Sequence, residues 1–120
     1  MNEEVQDAKF KILLVEDNET YRKVVSNAMR VAGFEVFEAE NGLRGMEIVR
    51  TNRPDLVLSD VYMPVMDGMA LLAEIKKDET LMNIPVVMLT NVQEELDNSV
   101  KAGAEEAILK SSLTPSQVIE

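Results

Sequence analysis

Apolar runs alternate with amphipathic segments from one end of the chain to the other. Ile12-Leu13-Leu14-Val15 is a continuous apolar run cut off by Glu16-Asp17-Asn18, the pattern of a strand buried on both faces. Tyr21, Val24, Val25, Ala28, Met29 and Ala32 then recur at helical spacing, and Gly33 closes that helix. Phe34-Glu35-Val36-Phe37 predicts a short strand with one polar position. Asn41 is placed to cap a second helix with the stripe Leu43, Met46 and Val49. Pro54 interrupts, and Leu56-Val57-Leu58 predicts a third strand ending at Ser59-Asp60. Asp67 caps a third helix that buries Leu71, Leu72 and Ile75. Ile84-Pro85-Val86-Val87-Met88-Leu89 reads as the fourth strand, its proline near the start, where a ladder donor is least missed. Leu96 and Val100 give the fourth helix only a thin apolar stripe, which makes it the element expected to move most. Ala107-Ile108-Leu109 predicts the last strand, and Thr114-Pro115 opens a short final helix with a cap and a proline at its first position.

Five β-then-α units with apolar strands imply an α/β fold, a parallel sheet with helices on both faces. Right-handed crossovers follow, and the ligand site belongs at the carboxyl ends of the strands. The pattern leaves the strand order open. No linker, repeat or low-complexity segment divides the 120 residues, so one domain is expected. No apolar run reaches the roughly 18 residues that a membrane span needs. Met1-Asn2-Glu3-Glu4 is acidic, unlike a secretory signal, and a cytoplasmic location is the simplest expectation.

Composition narrows the chemistry further. With no cysteine, disulfides, thiolate metal sites and cysteine nucleophiles are excluded. With no histidine, the usual general base is missing, and any metal must sit on oxygen ligands, which favours Mg²⁺ or Ca²⁺. The net charge of −10 disfavours contact with nucleic acid phosphates, since the 12 basic residues are scattered. Most of the acidic residues read as a solvated surface.

The polar residues at strand ends carry more information. They are Glu16-Asp17 after the first strand, Asp60 after the third, Thr90 after the fourth and Lys110 after the fifth. The fold brings them to one edge of the sheet. Two carboxylates about 4 Å apart repel by roughly 4 kcal/mol at an effective dielectric near 20. A divalent cation and the Lys110 ammonium would both relieve this. Singly, each residue has a plain explanation. Glu16-Asp17 can open a helix, Asp60 can lie in a turn before Met63-Pro64, Thr90 can cap a helix, and Lys110 can be a solvated charge. Those explanations do not account for their joint occurrence, in order, at four strand ends.

Leu13-Leu14-Val15-Glu16-Asp17-Asn18, the segment from Ser59-Asp60 through Met63-Pro64 to Asp67-Gly68, Leu89-Thr90 and Leu109-Lys110 resemble the receiver domains of two-component response regulators. The resemblance spans residues 10–120, with residues 1–9 as an N-terminal tail. It implies a flavodoxin-like doubly wound sheet of order 2-1-3-4-5. It implies that Asp60 is a nucleophile forming an acyl phosphate. Asp17 and Asp60 would bind Mg²⁺ directly, Glu16 through water, and Tyr62 through its carbonyl. Thr90 and Lys110 would contact the phosphoryl oxygens. The donor would be a phosphohistidine on a sensor histidine kinase or phosphotransfer protein, and a downstream protein target would read the change of shape. The domain would then be a phosphoacceptor that catalyses only its own phosphoryl transfer and dephosphorylation, with no direct contact to nucleic acid or membrane.

Three positions depart from the family pattern. Ser111 stands where a proline with a cis bond usually follows the lysine, so that bond is expected to be trans. Ala107 replaces an aromatic switch residue, and Asn91 replaces a small residue beside the phosphoryl site. Two rival enzyme and carrier readings fail on single residues. A haloacid dehalogenase-type phosphatase needs a second aspartate where Tyr62 stands, and a flavodoxin-like FMN carrier would bring phosphate against Glu16-Asp17. A degenerate receiver acting only as an interaction module would lack some of the acid, hydroxyl and lysine positions, which are all filled here. Ten residues follow Lys110, so no output domain is expected within this sequence.

Overall fold

A computed structural model of the chain describes residues 9–92 and 94–109. Five strands, β1 (Lys11–Val15), β2 (Glu35–Ala39), β3 (Leu56–Asp60), β4 (Val86–Thr90) and β5 (Glu106–Leu109), alternate with four helices, α1 (Glu19–Val31), α2 (Gly42–Asn52), α3 (Gly68–Lys77) and α4 (Glu94–Lys101). The strands are all parallel, in the order β2-β1-β3-β4-β5. Chain direction therefore diverges from β1, with β2 on one side and β3 on the other. That divergence creates the crevice where open α/β sheets place their ligands. Lys110, Ser111 and the expected final helix lie outside the described residues.

Alternation along the strands builds two cores. Leu13, Val15, Val57, Val86 and Met88 face one way and meet Met46, Ile48 and Val49 of α2 and Leu71, Leu72 and Ile75 of α3. Ile12, Leu14, Leu58 and Leu89 face the other way and meet Val25 and Met29 of α1. Each such side chain, fully buried, contributes roughly 1.5–3 kcal/mol. Asn18, Asn41 and Asp67 each accept a hydrogen bond from a backbone N–H of the first helical turn, so all three helices start at a capped donor. Among the described residues no helix is long and apolar enough to cross a membrane.

The helical stripes differ from the expected ones in consistent ways. In α1 the buried positions are Val25, Ser26 and Met29, while Val24 and Ala32 face solvent. In α2 Leu43 is exposed, because Gly45 lets the helix backbone approach β1: a Cβ there would stand 3.1 Å from Val15 Cγ2. In α4 Val100 is exposed and Ser99 is buried, its hydroxyl 3.7 Å from Met69 Sδ. A small side chain beneath a helix shifts its contact line, and apolar spacing alone does not register this. β2 runs two residues beyond Phe37, and β4 starts at Val86, because Ile84 closes a turn onto Leu81 O at 2.9 Å.

Candidate functional site

The ladder continues one residue past β1, where Glu16 N–H donates to Ala39 O at 2.9 Å. The chain then turns into α1, and the Glu16 side chain folds back so that Oε2 accepts from Asn18 N–H at 2.9 Å. Glu16 is buried and Asp17 is exposed. Asp60, half-buried, ends β3 with Oδ1 accepting from Val61 N–H at 2.9 Å. Carboxylate oxygens of Glu16, Asp17 and Asp60 lie within 4.8 Å of one another. The donors are all hard oxygens, mutually repulsive when ionised and of mixed exposure, a set that suits Mg²⁺ by ligand type and leaves room for water.

The segment after Asp60 is tightly fixed. Gly68 N–H donates to Val61 O at 2.7 Å, and a Cβ at Gly68 would collide with the Asp60 carbonyl and Met88 Cε. Only a glycine permits that approach. Met66 O accepts from Gly42 N–H at 2.8 Å, which ties the segment to the start of α2. Val65 is left at φ 71, a conformation that is a true outlier for a β-branched residue. Tyr62, whose carbonyl is the expected fourth protein ligand, lies within this held loop and exposes its ring.

Register places the remaining residues. Asp60 pairs with Leu89, so Thr90 stands one step beyond it on the adjacent strand, and Thr90 itself pairs with Leu109. Thr90 is buried, and its Oγ1 accepts from Val92 N–H at 3.0 Å, which leaves the hydroxyl proton to be donated elsewhere. Lys110 follows Leu109, outside the described residues. Asn91 is exposed, and Ala107 packs half-buried against the larger core.

A second polar group flanks the carboxylates. Arg22 Nη1 donates to Glu16 O at 2.8 Å and Nε to Glu38 Oε1 at 3.2 Å. Lys23 and Arg30 also pair with Glu38, at 3.3 and 3.0 Å. Burial pushes the Glu38 carboxyl up, yet hydrogen bonding from Lys23, Arg30 and Ser26 outweighs it and holds the group below its ordinary value. Reading the sequence by motif found Asn18 without its capping role and missed Arg22, Glu38 and Gly42. Arg22 carried a signal, since it lies three and four positions before Val25 and Ser26 and so on the buried face of α1.

Comparison with known proteins agrees with this geometry. The response regulator receiver domain family matches residues 12–120. The polar-differentiation response regulator DivK of Brucella anthropi is 30% identical over 110 residues, covering 91% of this chain and 89% of DivK. The phosphate regulon transcriptional regulatory protein PhoB of Pseudomonas aeruginosa is 36% identical over 102 residues, 82% of this chain but 44% of PhoB. Among solved structures, the Vibrio cholerae chemotaxis protein CheY4 superposes with a TM-score of 0.84 at 29% identity, covering 93% of this chain and 94% of CheY4. The phosphorylated cyanobacterial phytochrome response regulator RcpA superposes at 0.80 with 32% identity, covering 93% of this chain and 87% of RcpA.

Proposed function

This chain belongs to the response regulator receiver domain family of two-component signalling, and from that premise we propose that Asp60 accepts a phosphoryl group in a Mg²⁺-dependent reaction. The observation that carries the reading is the convergence of Glu16, Asp17 and Asp60 within 4.8 Å at the switch point of the sheet. The likeness to RcpA, whose structure is of the phosphorylated protein, supports it.

The Val61 N–H bond to Oδ1 orients the Asp60 carboxylate. A carboxylate oxygen attacks phosphorus, the phosphorus–nitrogen bond of a phosphohistidine breaks, and the imidazole nitrogen leaves with the electron pair. Asp17 and Asp60 would hold Mg²⁺ directly, Glu16 through water, and the Tyr62 carbonyl would complete the protein ligands. The ion, when bound, neutralises carboxylate repulsion and charge on the phosphoryl oxygens. The Thr90 hydroxyl and the Lys110 ammonium donate to those oxygens in the product. Because the chain has no histidine, the phosphohistidine belongs to a sensor histidine kinase or a phosphotransfer protein. A downstream protein target reads the phosphorylated shape, in the cytoplasm, from a domain spanning residues 10–120.

Incubation with acetyl phosphate and Mg²⁺ tests this. The intact mass should rise by one phosphate, and Asp60→Asn should abolish the gain. Equal labelling of that variant would overturn the assignment.

A further inference from the structure

The Glu16–Asp17 peptide lies between two of the three site carboxylates, so its orientation sets where both side chains leave the backbone. Its flank is pinned at the Glu16 N–H by Ala39 O and at the Glu16 carboxylate by Asn18 N–H. Its own carbonyl oxygen is pinned by Arg22 Nη1 at 2.8 Å. Arg22 begins one turn beyond the cap, where its N–H donates to Asn18 O at 2.9 Å, and its side chain is only 13% exposed. Nε of the same guanidinium reaches Glu38 at 3.2 Å, so one planar group bridges β2 to the end of β1.

We infer that Arg22 is a positioning residue for the divalent cation site, acting through the Glu16 carbonyl, with Glu38 of β2 holding Arg22 in place. The inference rests on the reading of Glu16, Asp17 and Asp60 as that site. A guanidinium suits the task because its rigid fork donates in two directions at once, whereas an ammonium is a point charge on a flexible stem. Outer groups of this kind orient ligands and tune metal affinity. Lys23 and Arg30 serve a different end. They pair with Glu38 at 3.3 and 3.0 Å and help keep it ionised.

The sign of the effect separates this role from simple electrostatics. Arg22 is a cation beside a cation site, so charge alone predicts that its removal tightens Mg²⁺ binding. Positioning predicts that its removal weakens binding.

Calorimetric titration of the folded protein with Mg²⁺, without phosphodonor, reads the difference. Arg22→Gln and Arg22→Lys should each raise Kd on the order of 10-fold. Glu38→Gln should raise it in the same direction, and it keeps the test available if an Arg22 variant does not fold. Lys23→Gln, which removes a cation from the same carboxylate, should leave Kd within twofold of the parent. Asp17→Asn is the reference for loss of a ligand. If Asp17→Asn weakens binding while Arg22→Gln binds as tightly as the parent or more so, the positioning role is wrong. Parent-like binding in Arg22→Lys would show that the two-directional fork joining Glu38 to the Glu16 carbonyl is not what positions the site, and would overturn the inference likewise. An unchanged Kd in Asp17→Asn would instead remove the cation site itself, and this inference with it.

Discussion

Glu38, 13% exposed and faced by Arg22, Lys23 and Arg30, gives the fold a pH dependence of definite sign. Burial raises its proton affinity, but hydrogen bonds from Lys23, Arg30 and Ser26 lower it further than burial raises it. A carboxyl held below its unfolded value stabilises the fold at pH above that value, and the contribution is lost as pH falls through the folded value. Urea unfolding should therefore show Glu38→Gln less stable than the parent by roughly 1–2 kcal/mol at pH 7, with the gap closing below about pH 4.5. A gap that persists at low pH would mean that shape, rather than charge, is what Gln fails to supply. Asp60, Glu16 and Asp17 were legible in the sequence because strand-end position and residue type together restrict their meaning. Arg22 and Glu38 were not, because their pairing joins residues 16 apart on a helix and a strand whose register the sequence does not state.

β4 ends at Thr90, one register step beyond Asp60 on the adjacent strand. Thr90 Oγ1 holds Val92 N–H, so turning that hydroxyl toward a phosphoryl group on Asp60 costs the loop its first internal bond. Leu96, Ser99 and Ala104 anchor the region, and Ser99 contributes only a weak contact to sulfur. Ala107 has no side chain able to rotate into vacated space. Hydrogen exchange with and without a beryllofluoride phosphoryl mimic should thus change after Leu89 and through Leu96 to Val100, and little along residues 105–109. Equal, strong changes at both would show that another element does the work of the missing aromatic. The five strands and the caps at Asn41 and Asp67 were readable from apolar runs and cap chemistry. The faces of α1, α2 and α4 were only half readable, because Ser26, Gly45 and Ser99 lie inward and carry no apolar signal.

For the molecule as a whole, the sheet order brings three carboxylates together at the junction of β1 and β3 in a chain of net charge −10. Mg²⁺ that binds only the folded state adds stability by mass action, about 2.7 kcal/mol at 100 times Kd. For a domain of this size that is a rise in melting temperature of roughly 10 °C. Scanning calorimetry should show it in the parent and not in Asp17→Asn at the same ion concentration; an unshifted parent would count against the site. The order that makes this junction was supplied by resemblance, since apolar patterning is identical for every permutation of five buried strands. The same order leaves β2 at the border of the sheet, with β1 its one neighbour among the described strands. An open border can recruit a second copy of itself, and charged side chains are how proteins discourage it. Glu35 and Glu40 are exposed along this border. Near the pI of about 4.5 the chain as a whole loses its net charge, so solubility fails while this border stays open, and acid precipitates of this protein should begin by strand addition at β2.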